Sequence, residues 1–248
     1  MLERASSIPL YHQLKTLLAT RIELGEWKPG DLIPGEIELQ STYALSRTTV
    51  RQALRELEFD GLLTRYRGRG TFVAGPKLTH GLDARDALDR DMIAQGMRPG
   101  WRVLRAGVVD VSPAIVERLQ LPAPRAFELC RLRLANDEPI AVHIAHVPPE
   151  AEAELDRTRL AEGASLAYLH ANGALSGAMS ERLLDAVPAT DEEAALLDVD
   201  PGAPLLRIRR LVLDRGGKPL EHCVATYRGD RFQYHLRSPA AAPDRDQE

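Results

Sequence analysis

Two cysteines in 248 residues argue against a disulfide framework. Cys130 and Cys223 lie in apolar strand patterns rather than at metal-ligand spacing, which makes them small core residues. The seven histidines form no ligand cluster either, so no metal and no other cofactor is expected. Long apolar runs are also missing. None approaches the roughly 20 residues of a membrane span, and the amino terminus has no signal-peptide pattern. The expectation is a soluble cytoplasmic protein with no membrane partner. Positive charge is not in excess: the net charge of −4 argues against a sequence-indifferent DNA-packaging protein. The second half has no nucleophile paired with a base, no ligand spacing and no glycine-rich phosphate loop. Gly216-Gly217 reads as a hairpin turn, and no catalytic residue is expected.

What is present is concentrated. Up to Pro76, ten Lys and Arg stand against nine Asp and Glu, or +1; the remainder has 22 against 27, or −5. Five of the ten cations are Arg47, Arg51, Arg65, Arg67 and Arg69, which gathers the positive potential on one stretch. Ser46 is placed to cap a helix whose Val50, Ala53, Leu54 and Leu57 recur at i, i+3, i+4 and i+7. Arg47, Thr48, Arg51 and Arg55 are then left outward at a positive helix end. Two arginines one turn apart, with hydroxyls between them, suit phosphate oxygens and guanine edges. For one such turn taken alone, a solvated helix face is the plainer reading. The flanks change this. Residues 34–43 read as a short helix followed by the brief Ala44-Leu45 connection, a helix-turn-helix arrangement. Asp60-Gly61 stops the second helix. Residues 62–66 and 71–74 then read as strands joined by Arg67-Gly68-Arg69-Gly70, a hairpin with guanidiniums at its tip.

The length allows one large or two ordinary domains. Ahead of the basic stretch, Ser7-Ile8-Pro9 opens a helix striped by Leu10, Leu14, Leu17, Leu18 and Ile22 and ended by Gly25, and Leu32-Ile33 reads as a short strand. A first domain over 1–76 is expected, then a polar linker over 77–84, a second domain over 85–238 and a disordered tail over 239–248. In the second domain the pattern gives a helix at 85–96, a strand at 101–111, a helix at 113–121, and a hairpin of 127–135 with 140–147. Helices at 151–160 and 165–171 and a strand at 181–187 follow. Thr190 with Glu193 forms a capping box opening a helix to Leu197. The pattern then recurs: Leu119-Gln120-Leu121 with residues 127–133 resembles Leu197-Asp198-Val199 with residues 205–211, and Pro139-Ile140 resembles Pro219-Leu220. A sheet built from two similar halves fits this duplication. A last strand spans 232–237.

Taken together, Pro9-Leu10-Tyr11, Gly25-Glu26-Trp27-Lys28-Pro29-Gly30-Asp31, Pro34-Gly35-Glu36, Ser46-Arg47-Thr48-Thr49-Val50-Arg51 and Gly68-Arg69-Gly70-Thr71-Phe72-Val73 resemble the GntR family of bacterial transcription regulators. The resemblance implies a winged helix with Ser46, Arg47, Thr48, Thr49 and Arg51 at the major groove and Gly68, Arg69 and Gly70 near the adjacent minor groove. Arg131-Leu132-Arg133, Pro139-Ile140, Ser165-Leu166, Pro219-Leu220-Glu221 and Tyr227-Arg228-Gly229-Asp230-Arg231 resemble the UTRA effector-binding domain of the HutC subfamily. The expected fold class is α+β: an N-terminal winged helix-turn-helix domain and a C-terminal antiparallel-sheet domain of chorismate-lyase-like fold. The resemblance further implies a homodimeric repressor on double-stranded, pseudo-palindromic operator DNA. An enzyme of chorismate-lyase-like fold with a fused DNA-binding domain is the alternative.

On a strand, side chains two apart share a face, so Arg131 and Arg133 project together, as do Glu221 and Tyr227. Paired guanidiniums bind a phosphate or carboxylate, while Glu221 and Tyr227 can read hydroxyl or amine groups. A surface salt-bridge lattice is the reading from spacing alone. The resemblance assigns Asp89, Arg131, Arg133, His143, Ser165, Glu221 and Tyr227 to an effector pocket instead. Arg209 aligns with Arg131 in the duplicated half and reads as structural. Asp89 beside an anion site repels phosphate unless it faces a cation. The expected small-molecule effector is accordingly a sugar phosphate, or a zwitterion such as an amino acid derivative or phosphonate.

Overall fold

The computed structural model describes residues 2–66, 68–75, 77–81, 88–150 and 176–236. In the N-terminal unit, helices α1 (Leu10–Glu23), α2 (Glu36–Tyr43) and α3 (Arg47–Phe59) precede the hairpin of β1 (Leu63–Tyr66) and β2 (Gly70–Val73). Periodicity places its core: Leu14 and Leu18 of α1, Leu39 of α2 and Val50, Ala53, Leu54 and Leu57 of α3 bury against Leu63 and Val73. Ala44, in the left-handed region at φ 51°, turns the chain from α2 into α3. The strand expected at Leu32-Ile33 is reduced to one bridge, from Leu32 to Phe72. Gly70 shows why the hairpin tip is built of glycine. Its φ is +119°, and a Cβ there would lie 2.6 Å from Leu32 Cδ1.

The second unit contains β3 (Leu78–Gly81), α4 (Leu88–Ala94), β4 (Pro99–Asp110), α5 (Pro113–Leu119), β5 (Arg125–Ala135) and β6 (Glu138–Val147). After a gap in the described residues come β7 (Met179–Pro188), α6 (Asp191–Leu197), β8 (Pro204–Leu213), β9 (Pro219–Arg228) and β10 (Phe232–His235). The large sheet is antiparallel with strand order β4-β5-β6-β9-β8-β7. It reads as two strand-helix-hairpin halves joined at β6 and β9, the arrangement the sequence repeat predicts. The repeat extends to the helix ends. Gln120 after α5 and Asp198 after α6 both adopt left-handed conformations, at φ 53° and 54°. The β5–β6 turn is tight, with Asn136 and Asp137 both at positive φ.

One stretch is corrected. Residues 78–81, expected within a polar linker, form β3, which pairs in parallel with β10. Leu78 and Phe232 join the core that covers one face of the large sheet. Residues 82–84 of that linker, the helices expected at 151–160 and 165–171, and the tail from 239 lie outside the described residues. On the opposite face, α6 packs with Leu132, Val142 and Leu205, and α5 with Ala126 and Leu211.

The expected capping box is complete. Thr190 Oγ1 accepts from Glu193 N–H at 3.2 Å, and Glu193 Oε2 accepts from Thr190 N–H at 3.0 Å. Thr190→Ala should lower unfolding free energy by about 1 kcal/mol while Thr190→Ser stays near wild type. Denaturant melts of the two variants check this, and equal loss in both would show that the cap contributes through something other than its hydroxyl.

Candidate functional sites

The first candidate site lies where α3 begins. Ser46 Oγ accepts from Thr49 N–H at 3.2 Å and lies 2.8 Å from both Thr48 Oγ1 and Thr49 Oγ1. Three hydroxyls therefore surround a positively polarised helix end. Ser46, Arg47 and Thr48 are exposed, and Thr49 and Arg51 half-exposed. Gly68, Arg69 and Gly70 stand exposed at the hairpin tip, with the Arg69 guanidinium 5.1 Å from the centre of the Tyr66 ring. All eight residues singled out for DNA contact thus lie on two adjoining elements of one unit. Sequence reasoning missed Glu36, whose carboxylate lies within ion-pair distance of Arg47, Arg51 and Arg65.

The second candidate site lies on the large sheet. Arg131 and Arg133 share a face of β5, and their guanidinium carbons lie 4.1 and 4.6 Å from the ring centre of Trp101, on β4. The indole supplies negative potential to two cations that are withdrawn from water. Arg133 is 0% exposed; it donates to Asp89 and approaches Met92 Sδ at 2.8 Å, both on α4. The expected condition on Asp89, that it face a cation, is met. His143, the cross-strand partner of Arg131, sets its ring edge-on to Trp101 at 4.9 Å and to Tyr227 at 5.3 Å. Tyr227 in turn stacks on Phe232.

Several polar atoms of this cluster are buried without a hydrogen bond among the described residues: Arg133 Nε and Nη1, both His143 ring nitrogens and Trp101 Nε1. Such atoms cost stability unless something pairs with them. Burial, and then the charges of Arg131, Arg210 and Arg133, push the His143 pKa well below its ordinary value, so the ring is neutral. Burial raises the Tyr227 hydroxyl as well and pushes the Cys223 thiol up to about 12. Neither is a nucleophile near neutral pH.

Glu221 shares the face of Tyr227, as expected, but six residues along a strand separate them by about 20 Å. Its buried carboxylate accepts from Arg210 Nη2 at 2.6 Å. Register also corrects the alignment of the two halves. With Pro139 and Pro219 opening equivalent strands, His143 corresponds to Cys223. Arg131 pairs with the former and Arg210 with the latter, so Arg210 is the counterpart of Arg131. Arg209 points to the other face and pairs with Asp185 at 2.6 Å. Ser165 lies outside the described residues.

A third set of contacts joins the two units. Tyr66 Oη donates to Glu138 Oε2 at 2.9 Å, and Arg231 donates to the same oxygen. The Arg228 guanidinium, paired with Asp230 at 2.7 Å, lies 5.6 Å from the Tyr66 ring centre. Tyr227-Arg228-Gly229-Asp230-Arg231 therefore touches the buried arginine cluster at one end and the β1–β2 hairpin at the other.

Against known families, the description "Bacterial regulatory proteins, gntR family" matches residues 10–73, and the UTRA domain matches residues 94–233, more than half of the chain. The chain belongs to the GntR family. This regulator combines the family's helix-turn-helix domain with a UTRA effector-binding domain, the HutC-type combination. It is 34% identical to the HTH-type transcriptional repressor NagR of Bacillus subtilis, over 94% of this chain and 96% of that protein. It is 32% identical to a histidine utilization repressor of Pseudomonas aeruginosa, over 82% and 80%. The crystal structure of PhnF from Mycobacterium smegmatis superimposes with a TM-score of 0.61 at 26% identity, covering 92% of this chain and 99% of that one. The Bacillus subtilis and Pseudomonas aeruginosa relatives are named as repressors, not enzymes, which sets the enzyme alternative aside. No helix among the described residues is long and apolar enough to cross a membrane.

The buried histidines make stability depend on pH. Burial lowers the pKa of His143, and also of His146 and His222, below the unfolded value of about 6.5. Between folded and unfolded pKa the unfolded chain binds more protons, so stability is full above about pH 6.5 and falls as pH drops below it. Thermal midpoints at pH 7.5, 6.5 and 5.5 should decline in that order. The decline should be shallower in His143→Asn, and an unchanged slope would remove His143 from the account.

Proposed function

We propose that this regulator is a homodimeric, cytoplasmic repressor. Residues 1–76 bind a pseudo-palindromic operator, and the UTRA domain, extended to include β3, binds a small anionic or zwitterionic effector. Ser46, Arg47, Thr48, Thr49 and Arg51 enter the major groove, while Gly68, Arg69 and Gly70 approach the neighbouring minor groove. With two-fold symmetry, the recognition helices sit about 34 Å apart on one DNA face.

The observation that carries the effector reading is the guanidinium of Arg133 at zero exposure, beside Arg131 and Trp101, with Nε and Nη1 lacking a hydrogen bond among the described residues. A buried cation with free donors on an indole platform suits a phosphate, phosphonate or carboxylate, which would complete its hydrogen bonds. Asp89, already held by Arg133, offers an acceptor to hydroxyl or ammonium groups of the same molecule; Glu221, about 20 Å along β9 from Tyr227, is left out of this set. His143 and Tyr227 line the space between, and Ser165 belongs to the same proposed set. A sugar phosphate, an amino acid derivative and a phosphonate all meet this chemistry. Effector binding moves the β5–β6 hairpin that carries Arg133 and Glu138, and Glu138 passes the change to Tyr66 and the wing. A coupling of about 1 to 3 kcal/mol changes operator affinity several-fold to a hundredfold.

Arg51→Ala should weaken operator binding and blur base preference by about 1 to 3 kcal/mol, as loss of a bidentate base contact does. Titrations on a selected duplex and on its point variants measure it; an equal loss on every sequence reduces Arg51 to a phosphate contact. Arg133→Ala should leave apo operator binding intact and abolish the effector response. Thermal unfolding against a panel of anions and zwitterions provides the readout, since a ligand at 100 times its Kd stabilises by about 2.7 kcal/mol. A stabilisation that survives in Arg133→Ala would move the effector to another site.

A further inference from the structure

One carboxylate stands inside the basic face. Glu36 is the first residue of α2, and its side chain is 17% exposed. Its Oε1 accepts from Arg65 Nη2 at 2.6 Å and lies 3.7 Å from Arg51 Nε, while Oε2 lies 3.6 Å from Arg47 Nε. Two arginines of α3 and one of the wing strand therefore converge on a single anion carried by the preceding helix. Burial acts to raise the Glu36 pKa. The Arg65 hydrogen bond and the charges of Arg65, Arg51 and Arg47 outweigh it and hold the carboxyl below its ordinary range, so it is ionised near neutral pH. Arg51 Nε is buried and makes no hydrogen bond among the described residues. Glu36 thus restrains that guanidinium by charge without occupying its donors.

We propose that Glu36 is a positioning residue for operator recognition: it gathers Arg47, Arg51 and Arg65 in one orientation and suppresses their contacts with arbitrary phosphates. The inference rests on the reading of α3 and the wing as the DNA-contacting elements. Its physical basis is the difference between backbone and base contacts. Phosphates are present on every duplex, so a long, unrestrained arginine gains affinity on any sequence and discriminates nothing. A guanidinium already held at one angle loses less side-chain freedom when it meets a matching base edge. The same carboxylate repels any phosphate that approaches the cluster, and three arginines with one glutamate present a net charge of +2 rather than +3. The repulsion acts on all DNA. The gain in orientation is realised only on the matching site, so the balance favours specificity over total affinity.

The test uses the full chain and two duplexes of equal length and composition: one selected from a random library by the wild-type protein, the other scrambled. Glu36→Gln should bind the scrambled duplex about five- to twentyfold more tightly at matched salt and the selected one nearly as before, reducing the specificity ratio about tenfold. On the scrambled duplex, the slope of log affinity against log salt should steepen by about 0.9 for each extra phosphate engaged. Glu36→Asp keeps the charge and should retain most of the ratio; if Glu36→Gln does not fold, the aspartate variant should show the same change in smaller size. A ratio and salt slope unchanged in folded variants would overturn the proposal. So would an equal loss on both duplexes alongside a lower thermal midpoint, which would make Glu36 a support of the α2 amino terminus only. Arg51→Ala separates the two readings. If it too leaves both affinities unchanged, the DNA face has been misassigned; if it weakens the selected duplex while Glu36→Gln changes nothing, only the role of Glu36 fails.

Discussion

The antiparallel pairing of β6 with β9 makes one sheet from two strand-helix-hairpin halves, and much of the UTRA domain follows from it. These central strands carry Ala141, Ala145, Cys223 and Ala225 on one face, all buried. Side chains that small leave depth above the middle of the sheet, and the flanking strands fill it with large polar groups: Trp101, Arg131 and Arg133 on one side and Arg210, paired with Glu221 of β9, on the other. Leucines at the central positions would pack the core more tightly and close that space. Burying charge is unfavourable unless each group finds partners. Here Trp101, Asp89 and the Arg210–Glu221 pair meet part of the requirement, and the atoms of Arg133 and His143 without a partner among the described residues mark the rest.

The protein handles arginines in opposite ways at its two ends. On the DNA-binding unit they lie near water, where a single ion pair contributes little to stability. What Glu36 can supply there is orientation rather than strength. Inside the UTRA domain Arg131 and Arg133 are withdrawn from water, and an indole face and the carboxylate of Asp89 take over the solvent's role. In the proposed function the same side chain serves as a restrained probe in one setting and as a costly, pre-formed receptor in the other.

Features built from neighbouring residues were legible in the sequence. The Ser46 cap, the apolar stripe of α3, the glycine hairpin and the Thr190 capping box all depend on spacings of four or less, where helix and turn geometry fix the outcome. The duplication was legible because each half repeats the same local signals. Features that depend on distant pairing were not. β3 has four residues, and its strand partner among the described residues, β10, lies about 150 residues downstream, so no local pattern distinguishes it from a linker. Strand parity placed Glu221 on the face of Tyr227 but carries no information about distance along the strand. Matching apolar residues between the halves aligned Arg209 with Arg131, whereas pairing register selects Arg210; on a strand, an error of one residue reverses the face. Glu36 carries only the signal of an acid at a helix start. Its arginines lie 11, 15 and 29 residues away, brought to it by the way α2 and the wing lie against α3.

The contact between the units is small and polar, and this bears on how an effector can act. Tyr66 donates one hydrogen bond to the Glu138 carboxylate and receives a guanidinium over its ring, and Arg231 shares the same Glu138 oxygen. A hydrogen bond to a charged group is worth about 1.5 to 3 kcal/mol, and a cation over an aromatic ring about 0.5 to 2. That is the size of coupling a several-fold to hundredfold change in DNA affinity requires. A large apolar junction would hold the wing in one position against any effector, and a bare linker would transmit nothing. A junction of a few charge-assisted contacts, attached to the turn between β5 and β6, is strong enough to bias the DNA-binding unit and weak enough to be released.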